Sequence, residues 1–212
     1  MSAWPSPKLL GRLLGAGLSL SSFSSGALCA PCPANRMTSG PPEHVLAGVD
    51  VSRSTIAEVS RVYGPPASRS VYAPPGAEPG SGQGEYVWEL AGADLKVTTL
   101  LVSGEGGKKK EERVSAVTVS LARAQVQRPL ATGRGAKIGD TAKTLRRLYG
   151  TRFVKETVDS RPRLTYCFED GTVLYLRFDA RGKVEEILLD GSGAAPDPAQ
   201  GRLGPPAPPY RG

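Results

Sequence analysis

Apolar and polar residues trade places along this chain with two periods. At Ile56, Val59, Val62 and Tyr63 the apolar positions fall three and four apart, the spacing of one helix face. Ala142, Leu145, Leu148 and Tyr149 repeat that spacing 86 residues later, inside a segment that also repeats Thr55, Arg61, Tyr63 and Gly64 as Thr141, Arg147, Tyr149 and Gly150. Elsewhere the period is two. Tyr86, Trp88 and Leu90 alternate with Glu85, Val87 and Glu89, and Val117, Val119 and Leu121 alternate with Thr118 and Ser120. The pattern predicts strands at 71–73, 85–90, 95–102, 114–121, 164–168, 172–178 and 183–189.

Punctuation agrees with these periods. Thr55 with Glu58 is a capping box, in which each side chain satisfies a free amide at a helix start. Asp140 or Thr141 serves as the second cap, and Gly64 and Gly150 end the two helices. Asp170-Gly171 and the run from Asp179 to Gly182 read as hairpin turns. A segment used twice points to one supersecondary unit duplicated. The expected fold class is therefore α+β, with two tandem units, each a helix followed by an antiparallel β-meander, packed as one body. The units span 48–121 and 135–190, joined by a connector at 122–134.

One sheet face must cover the helices. Tyr86, Trp88, Leu90, Tyr166, Phe168, Leu174, Leu176 and Phe178 fit that core face. The opposite face would show Glu89, Lys96, Thr98, Thr165, Cys167, Val173, Tyr175 and Arg177. A mixture of Tyr, Arg and charged residues suits protein binding. An ordinary solvated antiparallel face carries the same alternation.

Composition changes the picture at the ends. Residues 1–30 open with Lys8 and Arg12, run through an apolar, Ser-diluted stretch at 13–28, and offer small residues around Cys29, which reads as an export signal. Cys29 is also a lipidation candidate, with Leu28 bulky where such sites want a small residue; an organellar transit peptide fits the same basic, Ser-rich composition. Residues 31–47 read as a Pro-rich linker and 191–212 as a disordered Pro/Gly/Ala tail. Cys32 and Cys167 are disulfide candidates in an oxidising compartment, against the alternative of two free thiols.

The chain carries a formal charge of +7, with 24 basic against 20 acidic residues from Glu43 onward. Between Arg123 and Lys155 there are nine basic residues and one acid, Asp140. Such a field attracts anionic partners, or is a solvated face.

Catalytic constellations are missing from the sequence. The one histidine, His44, lies in the Pro-rich segment, and a nucleophile needs a base held firmly beside it. A zinc site wants three or four suitable ligands, and no such spacing occurs. Gly133-Arg134-Gly135 with Gly139 lacks the strand that a dinucleotide loop must follow. Glu185 and Glu186, as strand neighbours, would point to opposite faces.

The repeated segment resembles the beta-lactamase inhibitory protein family and the SmpA/OmlA type of small outer-membrane lipoprotein. The residues that carry the resemblance are Thr55, Val59, Gly64 and Pro65, then Gly139, Asp140, Thr141, Leu145, Gly150, Phe178, Asp179, Gly182 and Val184. The resemblance implies an exported, non-enzymatic binding protein whose open sheet face grips another protein. On this reading the binding residues are Tyr175, Arg177, Lys96, Glu89 and Thr165, with Lys108, Lys109 and Lys110 steering an acidic patch of the partner. The alternative is a lipid-anchored envelope lipoprotein that scaffolds an outer-membrane assembly. No cofactor, metal or nucleic-acid partner is expected, and membrane contact only through a lipid anchor. The expected location is extracytoplasmic.

Overall fold

The computed structural model describes residues 32, 36–38, 40–72, 82–102, 111–122 and 130–193. The export signal with Cys29, the Lys108–Lys110 loop and the tail from 194 lie outside the described residues.

A two-residue ribbon comes first: β1 (Val45–Leu46) and β2 (Val49–Asp50). Helix α1 (Ile56–Tyr63) follows, then β3 (Ser68–Tyr72), β4 (Gln83–Leu90), β5 (Ala93–Val102) and β6 (Glu111–Leu121). Helix α2 (Ala142–Tyr149) precedes β7 (Val154–Val158), β8 (Arg161–Cys167), β9 (Val173–Phe178) and β10 (Val184–Asp190).

These strands form one antiparallel sheet of eight, in the order β3-β4-β5-β6-β10-β9-β8-β7. That overturns the expected fold class. The protein is mostly a single large sheet with a small ribbon and two short helices, not two tandem helix-plus-meander units. The physical cause lies in β6. It is eleven residues long and pairs on both sides, with β5 over its whole length and with β10 from Ala116 to Ser120. Backbone hydrogen bonding therefore runs unbroken from one edge strand to the other. Eight-residue helices are too short to stand alone, so both depend on the sheet they pack against.

The caps form as their residue types dictate. Thr55 and Glu58 make both bonds of the capping box. Thr141, rather than Asp140, caps α2 by accepting from the Thr144 N–H. Asp140 instead accepts the Lys137 N–H. Each helix ends on a glycine at positive φ, Gly64 and Gly150, where a side chain would be strained. Two rings of the sheet lock these ends: the Trp88 indole N–H donates to the Gly64 carbonyl at 2.9 Å, and the Tyr166 hydroxyl to the Gly150 carbonyl at 3.5 Å.

The core lies under the predicted apolar face. Trp88, Tyr86, Leu95, Val97, Val117, Val119, Tyr166, Leu174, Leu176 and Ile187 are all buried. Burial pushes the Tyr166 hydroxyl up to about 12. Gly84 is needed in this layer, because a Cβ there would sit 2.5 Å from Glu112 Oε1 and 2.6 Å from Thr99 Oγ1. Val62, expected in the stripe of α1, is 65 % exposed. Val59 and Tyr63, one turn apart, take the inward positions, and the Tyr63 hydroxyl donates to the Ala47 carbonyl.

Candidate functional site

The register fixes which side chains share the open face. One row runs Val154, Thr165, Tyr175, Leu188, Thr118, Lys96 and Val87 across seven strands. A second row runs Glu156, Arg163, Arg177, Glu186, Ser120, Asp94 and Glu89. The first row is mostly aliphatic and hydroxyl-bearing, with Tyr175 and Leu188 half-buried at its centre. The second is charged and interlocked.

The interlocking centres on Arg177. Its Nη2 donates to Glu186 Oε2 at 2.9 Å, and its Nε lies 3.2 Å from Glu185 Oε1. The latter is an ion-pair contact without hydrogen-bond geometry, which leaves that buried N–H without a hydrogen-bond partner. Adjacent strand residues ordinarily face opposite ways. Here the register of β10 shifts between Val184 and Glu186, a β-bulge, and both carboxylates reach one guanidinium. The expectation that Glu185 and Glu186 point apart is corrected by this bulge. Arg161 pairs with Glu185 at 3.1 Å, Arg163 with Glu156 at 3.0 Å, and the Arg163 guanidinium stacks 4.9 Å over the Tyr175 ring. Lys96 pairs with Glu85 at 3.2 Å.

Of the residues expected on the binding face, Tyr175, Thr165 and Lys96 fall in one row, with Tyr175 and Lys96 about 14 Å apart at ordinary strand spacing. Arg177 lies in the next row. Thr165 is only 5 % exposed, its hydroxyl donating to Glu156 Oε1, so it belongs to the floor of the face. Glu89 sits apart, opposite Asp94 across the β4–β5 hairpin. Leu188, between the buried Ile187 and Leu189, was missed; only the β10 register exposes its place beside Tyr175.

Desolvation raises the carboxyl of Glu186 above its ordinary value, more than Arg177 lowers it. A raised acid binds its proton better in the folded chain, so its contribution to stability falls as pH rises from below 4.5 through the folded value. Replacing Glu186 by Gln should remove that falling component. Urea midpoints measured across the acid range in both proteins would test it; parallel curves would contradict it.

A second cluster lies where the Pro-rich linker was expected. Glu43, 3 % exposed, accepts from four donors. Its Oε1 takes the N–H groups of Gly133 (3.1 Å) and Val45 (3.3 Å), and its Oε2 takes the Arg134 N–H (3.1 Å) and the Tyr149 hydroxyl (2.9 Å). Because Tyr149 donates to Glu43, the 2.6 Å contact with Thr132 must have the threonine hydroxyl as donor, and Thr132 in turn accepts the Ala136 N–H at 3.0 Å. Burial first, then the Glu43 carboxylate, pushes the Tyr149 hydroxyl well above its ordinary range. A Cβ at Gly133 would lie 2.7 Å from Glu43 Oε1, so this loop needs glycine for close approach.

The same segment is fastened at several further points. The Arg134 guanidinium donates to the Pro41 carbonyl and stacks over Tyr149 and Phe168 at 5.1 and 5.7 Å. Upstream, Thr38 donates its N–H to the Cys167 carbonyl at 2.7 Å and its hydroxyl to the Arg152 carbonyl at 3.2 Å. Cys32 and Cys167 are joined by a disulfide. The described residues before β1 thus form a strap clipped to the end of β8, a role that proline content alone conceals. His44 in this strap pairs with Asp170 at 3.3 Å, and no hydroxyl or thiol among the described residues hydrogen-bonds to it.

No family model matches the chain, and no curated protein matches it. Among solved structures, a DUF4309 family protein (YjgB) from Bacillus subtilis subsp. subtilis str. 168 is similar at 13 % identity and a TM-score of 0.37, over 68 % of this chain and 82 % of that one. These comparisons lend no support to the inhibitory-protein or SmpA/OmlA resemblance.

Proposed function

We propose that this is an exported, non-catalytic protein-binding module that uses the open face of its sheet. The observation that supports it is the row through Tyr175 and Leu188. An apolar centre bordered by charged groups is the anatomy of a protein interface. The ion pairs around Arg177, Glu185 and Glu186 hold that border in place before any partner arrives, which lowers the ordering cost of association. The resemblance stated from the sequence adds an inhibitor-like mode of action, with an acidic patch on the partner. The lipoprotein alternative turns on Cys29, outside the described residues.

The test is affinity capture from envelope and secreted fractions with the full chain, since a bait starting at residue 43 would lose the strap. Tyr175→Ala and Leu188→Ala should each weaken capture by about 1–2 kcal/mol while leaving the fold intact. Arg177→Ala is a poor control, because it would leave Glu185 and Glu186 facing each other without their shared cation. A partner retained equally by both variants would remove the open face as the site.

A further inference from the structure

The cations of the open face are engaged. Lys96, Arg161, Arg163 and Arg177 each lie within 3.2 Å of a carboxylate. On α2 the opposite holds. Lys143, Arg146 and Arg147 stand three and four residues apart, so they share one helix face, and all are exposed. Exposed Lys137 leads into the helix and exposed Arg152 follows it. None of these five side chains forms an ion pair among the described residues. Arg146 stacks over Phe153 at 5.6 Å. The one acid between 137 and 152, Asp140, is tied to its own loop through the Lys137 N–H. Like charges at this spacing repel, so the patch is relieved by an outside anion.

From this we infer that the exposed face of α2 docks on an anionic lipid surface. The inference goes beyond the protein-binding reading and does not rest on it. It revises the expectation that membrane contact runs only through a lipid anchor. Two observations favour lipid over other polyanions. First, among the described residues the large exposed apolar ones are Val62, Val71, Tyr72, Leu100 and Leu121, and none lies near α2 in sequence. A protein interface would want an aromatic or aliphatic anchor at its centre. Single-stranded nucleic acid would want exposed rings for stacking, whereas Tyr149 is buried and Phe153 is half-buried against Arg146. A headgroup layer asks only for positive charge near its surface. Second, the chain that follows the apolar stretch at 13–28 joins the described body at Cys32, and at Thr38 bonds the Arg152 carbonyl. An N-terminal chain tethered to a membrane would therefore enter the body beside Arg152, one of these cations.

The test is vesicle co-sedimentation of the full chain. Phosphatidylcholine vesicles give the baseline from the apolar stretch, and vesicles with about a quarter phosphatidylglycerol add the surface charge. The wild type should bind the anionic vesicles more tightly, with the gain fading as salt is raised. K143E/R146E/R147E should lose at least about a hundredfold of that binding, since each lost cation contributes roughly fivefold and each new carboxylate adds repulsion. Arg61→Glu on α1, the same change in charge as Lys143→Glu placed elsewhere, should leave it nearly unchanged. If the triple variant does not fold, Lys143→Glu carries the test with a loss of at least about fivefold. The inference is overturned by no preference for anionic vesicles, by wild-type binding in the α2 variants, by equal loss in Arg61→Glu, or by tighter binding to a DNA duplex or to polyglutamate than to the anionic vesicles.

Discussion

Glu43→Ala should cost about 3 kcal/mol of folding stability, a large share of what a domain of this size has. The side chain serves two backbone N–H groups of the Gly133-Arg134 loop, the Val45 N–H and the Tyr149 hydroxyl. Truncation leaves buried donors without acceptors, and each such group costs about 1–3 kcal/mol. Space cannot offset this, since the tyrosine is held at the other side by Thr132. Glu43→Gln keeps one acceptor oxygen and should cost roughly half as much, because its amide must face a donor. Urea unfolding of the three proteins gives the comparison. An alanine variant with the wild-type midpoint would mean that water replaces the carboxylate without penalty.

Opening the disulfide between Cys32 and Cys167 should cost about 2–4 kcal/mol. The bond closes a loop with a sequence separation of 135, and a loop of that length restricts the unfolded chain strongly. It also holds the strap whose other fastenings are Thr38, Pro41 and Glu43. If the strap leaves as a unit, Cys32→Ser and Glu43→Ala should together cost less than their separate costs added. A double-mutant cycle in urea measures that coupling. Strict additivity would show two independent fastenings, and an unchanged midpoint on reduction would show that the bond contributes nothing.

Local rules carried the sequence reading a long way. The Thr55–Glu58 box, the glycine stops and the period-two alternation around Trp88 and Tyr166 each act within a few residues, so they are visible without any fold. The pairing of β6 with β10 is not of that kind. It joins segments far apart in sequence, and nothing in either strand names its neighbour, so two units were expected where one sheet runs through. Strand β7 was missed because Val154 and Val158 alternate with only charged and polar residues on an edge. Glu43 was legible only as the first acid of the chain; three of its four donors come from 90 to 106 residues away. The bulge that turns Glu185 and Glu186 onto Arg177 left no mark beyond the adjacent acids.

The most direct measurement on the open face is hydroxyl-radical footprinting of the captured complex against the free protein. Tyr175 and Leu188 should lose reactivity on binding, while Val62 on α1 should keep it. Unchanged reactivity at Tyr175 and Leu188, with protection appearing elsewhere, would contradict it.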